Sequence, residues 1–433
     1  MQDIKLIREH PEKVRENLAR RKDPEKLELL DHVIETDRKW RELTQRVNDL
    51  RRRRNQISSE IGKTLKEGGD ASSLKKEASE IPSRLRGLES QMSESQERLR
   101  DGLMRLPNML HESVPYGEDE HDNVEVKRWG KQPEFSFQPK SHAEIVTALG
   151  IGDFERGAKA AGSGFYYLRN ELALLDQGIQ RYAVNRLIEK GYTLIVPPYM
   201  IRRAAYEGVT DLADFESVMY KVEDEDLYLI ATSEHAMAAM LQDETLLAES
   251  LPIRLCGVSP CFRREIGAHG KYTKGLFRVH QFHKVEQFIF SLPEQSWELH
   301  EELQRNCEEL YQGLGLHYRV VNVCTGDIGI IAAKKYDTEV WMADGEFREI
   351  GSNSNCTDYQ ARRLNVKYRL KEGAPPEGFV HTLNNTAMAT SRTMIAVIEQ
   401  YQREDGTVRV PEALQPYMNG LKVIDGSMNK LDI

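Results

Sequence analysis

Two long runs near the start of the chain carry apolar residues at spacings of three and four. The first extends from Leu29 to Leu65 and the second from Leu74 to Leu106, and a glycine-containing sequence at residues 66–73 separates them. Such spacing places apolar side chains on one face of a helix, and a glycine turn ends one helix and lets another begin. The pattern predicts two antiparallel helices that pack through these faces and form an arm about 60 Å long, at about residues 27–106.

Two further features belong to this helical region. Pro82 lies inside the second run and predicts a kink or a local break, because proline removes a helical hydrogen bond. A shorter helix is predicted from Ile4 to Leu18, with Ile7 and Val14 on the same apolar face as these two residues. We expect this helix to dock on the body of the protein, and we assign residues 1–106 to one N-terminal helical domain.

Residues 107–140 are rich in prolines, turn residues and acids, which predicts a linker between two domains. After residue 140, short β-branched and aromatic runs alternate with helical patterns. Five predicted units are the clearest. They are a helix followed by a strand (172–198), a single strand (226–234), a strand–loop–strand unit (261–290), a strand followed by a polar run (338–363) and a strand that passes into an apolar helix (381–402).

The composition limits the possible classes of protein. With 433 residues the chain is long enough for two or three domains, and its hydrophobic content of 39% and charged content of 30% fit a long solvent-exposed helical element. Five cysteines without a Cys-x-x-Cys pair indicate reduced thiols in a cytosolic protein, and no structural zinc is expected. No apolar run approaches the roughly 18 residues of a membrane span, and the N-terminus lacks the apolar core of a signal peptide.

The net charge of −9 is unevenly distributed. Residues 1–106 contain 25 basic and 21 acidic residues, a net charge of +4, so the rest of the chain has a net charge of −13. The arm is therefore the part suited to RNA. Its candidate phosphate-binding residues are Arg51, Arg52, Arg53, Arg54, Lys63, Lys75 and Lys76. A charge run is commonly just a solvated helix face, but a long arm that buries little surface favours RNA, which is recognised through its shape and phosphates.

The predicted strand–loop–strand unit has the richest chemistry. A hairpin here places Arg263 and Glu265 beside Arg278, Phe282 and Glu286 on one sheet. Arginines neutralise phosphate groups and the charge that develops on them, an aromatic ring stacks on adenine, and carboxylates hold an ammonium group. ATP-dependent activation of an acyl group requires these groups, whereas a generic hairpin with the same charges would only be a solvated surface.

The order of residues in this unit resembles a known motif. The strings Phe-Arg-Arg-Glu at 262–265, Gly-Leu-Phe-Arg-Val-His-Gln-Phe at 275–282 and Lys-Val-Glu at 284–286 are similar to motif 2 of class II aminoacyl-tRNA synthetases, in the form found in seryl-tRNA synthetases of the common bacterial-type architecture. The unit at residues 172–198 resembles motif 1 of that class, and the unit at residues 381–402 resembles motif 3. The resemblance covers nearly the whole chain.

The resemblance implies a fold and a reaction. The fold is α+β, with an antiparallel β-sheet catalytic domain flanked by helices at residues 141–433 and a preceding coiled-coil arm that grips tRNA. The reaction is the ATP-dependent ligation of L-serine to the 3′ end of tRNA(Ser) through a seryl-adenylate, with tRNA(Sec) as a second candidate substrate. Motif 1 implies a homodimer.

The resemblance also assigns roles to individual residues. The arginines that act in catalysis are Arg263, Arg278 and Arg392. The residues expected to bind ATP are Arg263, Glu265, Arg278, Val279, Phe282, Glu349, Ser352 and Arg392. Glu349 and Ser352 would also hold Mg²⁺ together with the nucleotide. The residues expected to bind serine are Thr232, Ser233, Glu234, Arg263, Glu286, Asn384 and Thr386.

Several positions depart from the family pattern or have a simpler explanation. Asn385 stands where the commoner motif 3 string has glycine, and we expect it to change the backbone freedom beside the pocket. Ile266 and Tyr272 are unusual in the motif 2 loop. Without the family, the Thr-x-Glu sequence formed by Thr232 and Glu234 would predict only the start of a helix.

Two other functions fit parts of the sequence. A ligase that loads serine or another small amino acid onto a carrier protein would share the fold, but its expected mark is a missing or altered arm. A non-catalytic RNA-binding relative would keep the arm and lose charged residues from the motifs. This chain keeps both the arm and the charged residues, which favours aminoacylation, and serine-dependent pyrophosphate exchange separates the three functions.

Overall fold

The structure is a computed structural model that describes residues 1–211, 218–265 and 275–428. The chain divides into two compact units, Met1–Met109 and Leu110–Ile433. None of the described helices is long and apolar enough to cross a membrane.

The N-terminal unit is built from helices. Asp23 caps the first long helix by accepting a hydrogen bond from the Glu25 N–H, and Pro24 occupies the first helical position, where a missing N–H costs nothing. Gly68 ends that helix region with a positive φ of 73°, which glycine adopts without strain. In chain order the helices are α1 Ile4–Glu9, α2 Pro11–Ala19, α3 Pro24–Lys66 and α4 Ser72–Arg105.

Helices α3 and α4 pack along their apolar faces. Val33 near the start of α3 contacts Gly102 near the end of α4, so the two helices are antiparallel and the predicted helical arm is confirmed. The proximal part of the arm encloses one apolar cluster, which includes Ile7, Val14, Leu18, Leu30, Val33, Leu99, Leu103 and Leu106. The distal part encloses a second, smaller cluster built on Val47, Ile57, Ile81 and Leu85.

One detail of the predicted helical region was wrong. The helix predicted from Ile4 onward is divided at His10, because the residue before a proline is disfavoured in the helical conformation and Pro11 begins α2. The apolar residues of α1 and α2 pack against α3 and α4, within the N-terminal unit. Helix α4 continues through Pro82 without a break. Pro82 itself is exposed, so its ring lies on the water side of the helix.

The second unit is organised around one sheet. Its strands are β1 Val124–Trp129, β2 Gly152–Asp153, β3 Tyr167–Leu168, β4 Thr193–Ile195, β5 Met200–Ile201, β6 Tyr228–Leu229, β7 Thr245–Leu247, β8 Ile253–Phe262, β9 Gln281–Ser291, β10 Tyr318–Asn322, β11 Lys334–Trp341, β12 Phe347–Asn355, β13 Lys367–Arg369, β14 Gly378–Phe379, β15 His381–Ala389, β16 Val408–Arg409 and β17 Val423–Ile424. Eight of them form a sheet in the order β1-β10-β11-β12-β15-β9-β8-β4. All neighbours pair antiparallel except β4 with β8, which confirms the predicted antiparallel sheet.

Helices cover this sheet and form the main core with it. They are α5 His142–Ala148, α6 Phe154–Ala161, α7 Asn170–Glu189, α8 Arg203–Val209, α9 Ser233–Ala239, α10 Ser296–Gly313, α11 Tyr359–Leu364 and α12 Thr390–Gln400. Buried residues of α7, α10 and α12 pack with residues of β9, β10 and β15 in one cluster. Met394 to Ile398 of α12 are fully buried, as expected for a helix that is apolar all round.

The segment predicted to be a linker contributes a strand to this sheet. Strand β1 pairs with β10, with Val124 opposite Asn322 and Trp129 opposite Tyr318. The linker prediction was therefore wrong for residues 124–129. Val124 and Val126 do alternate with Glu125 and Lys127, but the prolines, acids and turn residues around this short edge strand dominate the local pattern.

Candidate active site

Strands β8, β9 and β15 present polar side chains on one face of the sheet. On β9, Phe282, Lys284 and Glu286 share this face because side chains alternate along a strand. Thr386 of β15 lies opposite Glu286, and Arg263 follows the last residue of β8. A cavity over this face is lined by several of the predicted residues, namely Arg263, Glu265, Val279, Phe282, Glu349, Thr386 and Arg392.

Arg263 is fixed where β8 and β9 begin to pair. Its backbone N–H donates to the His280 carbonyl at 3.0 Å, and its Nε donates to the Ala231 carbonyl at 3.4 Å. Its guanidinium lies 5.3 Å from the centre of the Phe282 ring, a favourable contact between a cation and an aromatic face. The side chain is therefore held over the polar face of the sheet.

Arg278 and Glu265 stand at the two ends of the motif 2 loop. Arg278 Nε lies 3.3 Å from Glu265 Oε2, and Glu265 has a positive φ of 46°, which is uncommon for residues other than glycine. Residues 266–274 of the loop between them, which include Ile266 and Tyr272, lie outside the described residues. The ion pair holds Arg278 beside the cavity that Glu265 lines.

Arg392 lies in the first turn of α12, as predicted. Its Nη1 donates to the Glu349 carbonyl at 2.6 Å, and its guanidinium lies 4.7 Å from the centre of the Phe277 ring. Burial works to raise the pKa of Glu349, but the positive charges of Arg392 and Lys335 hold that pKa below its usual value. Glu349 is therefore an ionised carboxylate at the cavity wall.

Glu349 and Ser352 of β12 are the pair predicted to hold Mg²⁺. Ser352 Oγ donates to Glu349 Oε1 at 3.3 Å, so the two oxygens already lie side by side. Asp337 of β11 lies opposite Ser352, and burial raises the pKa of Asp337 to about 7. Mg²⁺ prefers oxygen ligands and commonly takes a few from the protein and the rest from phosphate and water. The residues present therefore fit a magnesium–nucleotide complex.

Farther along the same face, Glu286, Thr386 and Lys284 form a buried polar group. Lys284 Nζ lies 2.5 Å from Glu286 Oε2 and donates to Thr386 Oγ1 at 3.3 Å. The Thr386 hydroxyl in turn donates to Glu286 Oε2 at 3.2 Å. The carboxylate predicted to hold an ammonium group is thus paired with an ammonium group of the chain itself.

Glu234 lies at the start of α9, next to this group. Thr232 is the N-cap of the helix and accepts a hydrogen bond from the Glu234 N–H at 3.1 Å, so the helix start expected from the local sequence is present. Glu234 Oε1 accepts hydrogen bonds from Gln360 Nε2 at 3.0 Å and Asn384 Nδ2 at 3.1 Å. Burial, reinforced by the charge of Glu286, raises the pKa of Glu234 to about 7.

Ser233 and Asn385, both singled out in the sequence, are buried. Ser233 is fully buried, and its Oγ lies against Gly257, where an added Cβ would approach it to 2.7 Å. Asn385 faces the opposite side of β15 from Thr386, and its Nδ2 donates to the Leu303 carbonyl of α10 at 2.7 Å. Asn385 is paired with Gln287 of β9 and joins β15 to a helix, next to a shift in the β15–β9 register that follows Thr386.

The cations predicted to contact RNA lie along the arm and are mostly exposed. Arg51 pairs with Glu89 at 2.7 Å and Arg53 pairs with Glu77 at 2.8 Å, both across the hairpin, and Arg52 lies 3.6 Å from an acid on its own helix. Among the described residues, Arg54, Lys63, Lys75 and Lys76 form no salt bridge. Because exposed ion pairs contribute only about 0–1 kcal/mol, the paired arginines can exchange their carboxylates for phosphates.

Comparison with known proteins places this site in a family. Residues 1–110 match the family described as the seryl-tRNA synthetase N-terminal domain, and residues 220–401 match the tRNA synthetase class II core domain (G, H, P, S and T). A serine–tRNA ligase from Methanoculleus marisnigri is 57% identical over 425 residues, which cover 98% of this chain and 100% of the relative. The chain belongs to the seryl-tRNA synthetases.

Solved structures agree with this assignment. The seryl-tRNA synthetase from Pyrococcus horikoshii complexed with ATP has a TM-score of 0.94 and 50% identity, with 98% of this chain and 99% of that chain covered. The cytoplasmic serine–tRNA ligase from Naegleria fowleri in complex with AMP has a TM-score of 0.88 and 37% identity, with the same coverage. The chain is therefore an ATP-dependent serine–tRNA ligase, and the carrier-protein ligase and the non-catalytic relative are both set aside.

Some residues of this synthetase site were missed from the sequence. Lys284 and Phe277 line the cavity, and Gln360 holds the Glu234 carboxylate. The sequence did contain a signal for Lys284, because this residue lies midway between Phe282 and Glu286 on a strand whose side chains alternate. The sequence contained no signal for Gln360, because the position of this residue depends on how α11 packs against the sheet.

Replacing Glu234 with glutamine should stabilise this synthetase at alkaline pH. The pKa of a buried carboxyl that is raised to about 7 lies above its unfolded value, so stability is full below the unfolded pKa and falls as pH rises through 7. The amide removes a penalty on the order of 2–3 kcal/mol at pH 8 and almost none at pH 4. Urea unfolding of both proteins at the two pH values measures the effect.

Glu404→Gln is the matched control for this prediction, because Glu404 is an exposed glutamate outside the site. It should leave the free energy of unfolding unchanged at both pH values. Equal stability of the Glu234→Gln variant and the unsubstituted protein at pH 8 would contradict the raised pKa.

Proposed function

We propose that this synthetase forms seryl-adenylate on the polar face of β8, β9 and β15 and then transfers the seryl group to tRNA. The observation that carries the proposal is the convergence on one cavity of phosphate-binding arginines and of a buried carboxylate suited to an ammonium group. Arg263 and Arg392 line the cavity, and Glu286 lies next to its lining residue Thr386. ATP and serine together need both kinds of group.

In the first step, an oxygen of the serine carboxylate attacks the α-phosphorus of ATP. The bond from that phosphorus to the bridging oxygen breaks, and pyrophosphate leaves. Arg263 neutralises the α-phosphate and the carboxylate, while Arg278 and Arg392 bind the outer phosphates. Phe282 stacks on adenine and Glu265 lies near its amino group. No covalent enzyme intermediate forms, so catalysis consists of positioning and charge neutralisation.

The remaining nucleotide contacts come from strand β12 and from the segment just before β9. Glu349 and Ser352 hold Mg²⁺, which neutralises phosphate charge when bound. Val279, buried beside Phe282, forms part of the adenine side of the cavity. The ionised state of Glu349 supports this assignment, because the arginine and lysine charges that lower its pKa keep it ready to bind a cation.

Serine lies at the Glu286 end of the cavity. Glu286 binds its ammonium group, and Glu234, Asn384 and Thr386 form the surrounding polar pocket, with Thr232 fixing the position of Glu234. Ser233 belongs to the same pocket, because its buried Oγ has no hydrogen-bond partner and lies over Gly257, the β8 residue opposite Glu286. A site built to hydrogen-bond a hydroxyl can reject the analogue without it by about 10⁴, so alanine is excluded strongly.

In the second step, a hydroxyl of the 3′-terminal ribose of tRNA attacks the carbonyl carbon of seryl-adenylate. The bond from that carbon to the phosphate oxygen breaks, and AMP leaves. We assign tRNA binding to residues 1–106, through the exposed cations of the arm, and the chemistry to residues 141–433. tRNA(Ser) is the proposed substrate, with tRNA(Sec) as a second candidate because phosphate contacts on an arm read shape.

The first experiment is ATP–pyrophosphate exchange with each of the twenty amino acids, without tRNA. Exchange with serine alone supports the proposed pocket, and exchange with another amino acid overturns it. Charging of tRNA(Ser) and tRNA(Sec) transcripts with labelled serine then identifies the nucleic acid substrate. Failure to charge either transcript, with exchange intact, would overturn the tRNA assignment alone.

We propose that two copies of the chain pair through the motif 1 region and that the dimer works in the cytoplasm. Large apolar side chains are exposed together in this region, at Ile188, Leu194, Val196, Tyr199 and Met200, with Val196 68% exposed. Contiguous exposed apolar residues commonly mark protein interfaces. The five cysteines are all buried and free, which suits a reducing compartment.

Replacing Val196 with glutamate should weaken the dimer. A two-fold interface buries the substituted residue twice, and a buried unpaired carboxylate costs several kcal/mol, so the dissociation constant should rise at least about a hundredfold. Sedimentation velocity over a range of concentrations measures this constant. Val124→Glu, at the opposite sheet edge, is the control and should remain dimeric. A monomeric unsubstituted protein, or a Val196→Glu dimer of full strength, would contradict the proposed interface.

A further inference from the structure

Lys284 is a buried cation at the centre of the site whose role the motifs leave open. Its side chain is 7% exposed, and its Nζ lies 2.5 Å from Glu286 Oε2. It also donates to Thr386 Oγ1 at 3.3 Å, and the cavity reaches it because Lys284 is among the lining residues. Lys284 therefore forms an ion pair with the carboxylate to which the ammonium group of the substrate would bind.

The position of Lys284 along β9 is informative. Alternate residues on one face of a strand are about 6.8 Å apart, so Lys284 lies between Phe282 at the adenine end and Glu286 at the ammonium end. In seryl-adenylate, the groups between adenine and the ammonium are the ribose, the α-phosphate and the serine carbonyl. Lys284 is therefore level with the anionic groups that react.

Binding of serine raises a problem of charge at this pair. If the serine ammonium takes its place on Glu286, Lys284 loses its counter-ion inside the protein, and leaving one member of a buried ion pair alone is strongly unfavourable. Serine, however, is a zwitterion and brings a carboxylate of its own. In serine, only the α-carbon separates this carboxylate from the ammonium group. The carboxylate lies on the side of the reacting phosphate.

We propose that serine inserts into the Lys284–Glu286 ion pair. Its ammonium group replaces Lys284 on Glu286, and the Lys284 ammonium turns to the serine carboxylate, where it acts together with Arg263. This inference rests on the proposed function, because it takes Glu286 as the ammonium site. It makes Lys284 a substrate-binding residue that selects amino acids with a free carboxylate over amines with the same side chain.

The surroundings of the pair fit this exchange. The Thr386 hydroxyl contacts both partners, so it can stay bonded to Glu286 while Lys284 moves. Glu234 is hydrogen-bonded to Gln360 and Asn384, and the charge of Lys284 acts on it only through space, so Glu286 is the carboxylate that holds Lys284 directly. Lys284 lies on a rigid central strand, so only its flexible side chain has to move.

The test compares serine with serinol, which has the same ammonium and hydroxymethyl groups but no carboxylate. Isothermal titration calorimetry gives both dissociation constants for the unsubstituted protein, Lys284→Gln and Lys284→Arg. Glutamine can still donate to Glu286 and Thr386, so it replaces the contacts without the charge. We expect Lys284→Gln to weaken the binding of serine at least tenfold and to leave the binding of serinol unchanged or tighter. We expect Lys284→Arg to restore part of the preference for serine.

Two results would overturn the proposal. An unchanged ratio of the two constants means that Lys284 does not contact the carboxylate, and tighter binding of both ligands means that Lys284 only competes for Glu286. Lys334→Gln is the matched control, because Lys334 is a strand lysine 3.6 Å from Glu301 and outside the cavity. It should leave both constants unchanged.

Two further measurements keep the test decisive. If Lys284→Gln does not fold, a crystal structure of the unsubstituted protein with serine decides: Nζ on the serine carboxylate supports the proposal, and Nζ still on Glu286 overturns it. If the unsubstituted protein binds ATP but neither serine nor serinol, the failure lies with the proposed pocket, since no ligand has reached the ion pair.

Discussion

Replacing Arg263 with glutamine should lower serine-dependent pyrophosphate exchange by about 10²–10³-fold, which corresponds to about 2.7–4 kcal/mol of transition-state stabilisation. Arg263 lines the cavity, and its guanidinium lies 5.3 Å from the centre of the Phe282 ring. Charge on the α-phosphate increases as the new bond forms, and glutamine offers donors without charge. The loss should therefore appear mainly in kcat.

The neighbouring residue gives a matched control for this substitution. Arg264 is exposed and is not among the residues that line the cavity, so Arg264→Gln should keep exchange within about twofold, as is usual for surface substitutions. If the Arg263→Gln variant catalysed pyrophosphate exchange as fast as the Arg264→Gln variant, Arg263 would not stabilise the reacting phosphate.

Removing the distal arm should separate the two steps of the reaction. Arg51 and Glu89 face each other across the hairpin, so residues 51–89 can be replaced by a short glycine turn that leaves the proximal cluster in place. We expect kcat/KM for tRNA to fall at least about a hundredfold, the equivalent of roughly 2.7 kcal/mol, because the phosphate contacts of the arm are lost. Serine-dependent pyrophosphate exchange should stay within twofold.

Salt dependence provides a second measurement of the same contacts. A variant that keeps the arm and replaces Arg54, Lys63, Lys75 and Lys76 with glutamate should bind tRNA more weakly and lose salt dependence in proportion to the contacts removed. Normal charging of tRNA by the truncated protein would contradict the assignment of the arm. Loss of exchange together with charging would show instead that the truncation damages the catalytic unit.

The sequence predicted the arm and the main strands of the sheet because these elements depend on local patterns. Helical spacing over thirty residues or more, or a strand that runs into an apolar helix, is set by neighbours in the chain. Strand β1 was missed because its partner β10 lies about two hundred residues away and the prolines, acids and turn residues around it dominate the local pattern. The division at Pro11 was overlooked although proline gives a direct signal.

The site was predictable to the extent that strand alternation fixes it. Phe282 and Glu286 implied a shared face, and Thr386 joined them through the pairing of β15 with β9. The complete burial of Ser233 was not predictable, because it depends on how the start of α9 packs over Gly257 of β8. The ion pair of Lys284 could not be read from spacing alone, since it depends on what each charge meets in the core.

The place of β15 in the sheet bears on how the protein is made in the cell. β15 is the last of the sheet strands in sequence, yet it lies between β12 and β9. Until residues 381–389 leave the ribosome, the nascent chain has two separate ladders whose unpaired edges can join other chains. The arm belongs to a compact unit of its own, Met1–Met109, and such a unit can fold during translation. A ribosome that stalls after β12 therefore releases a chain with a complete RNA-binding arm and an open, aggregation-prone sheet.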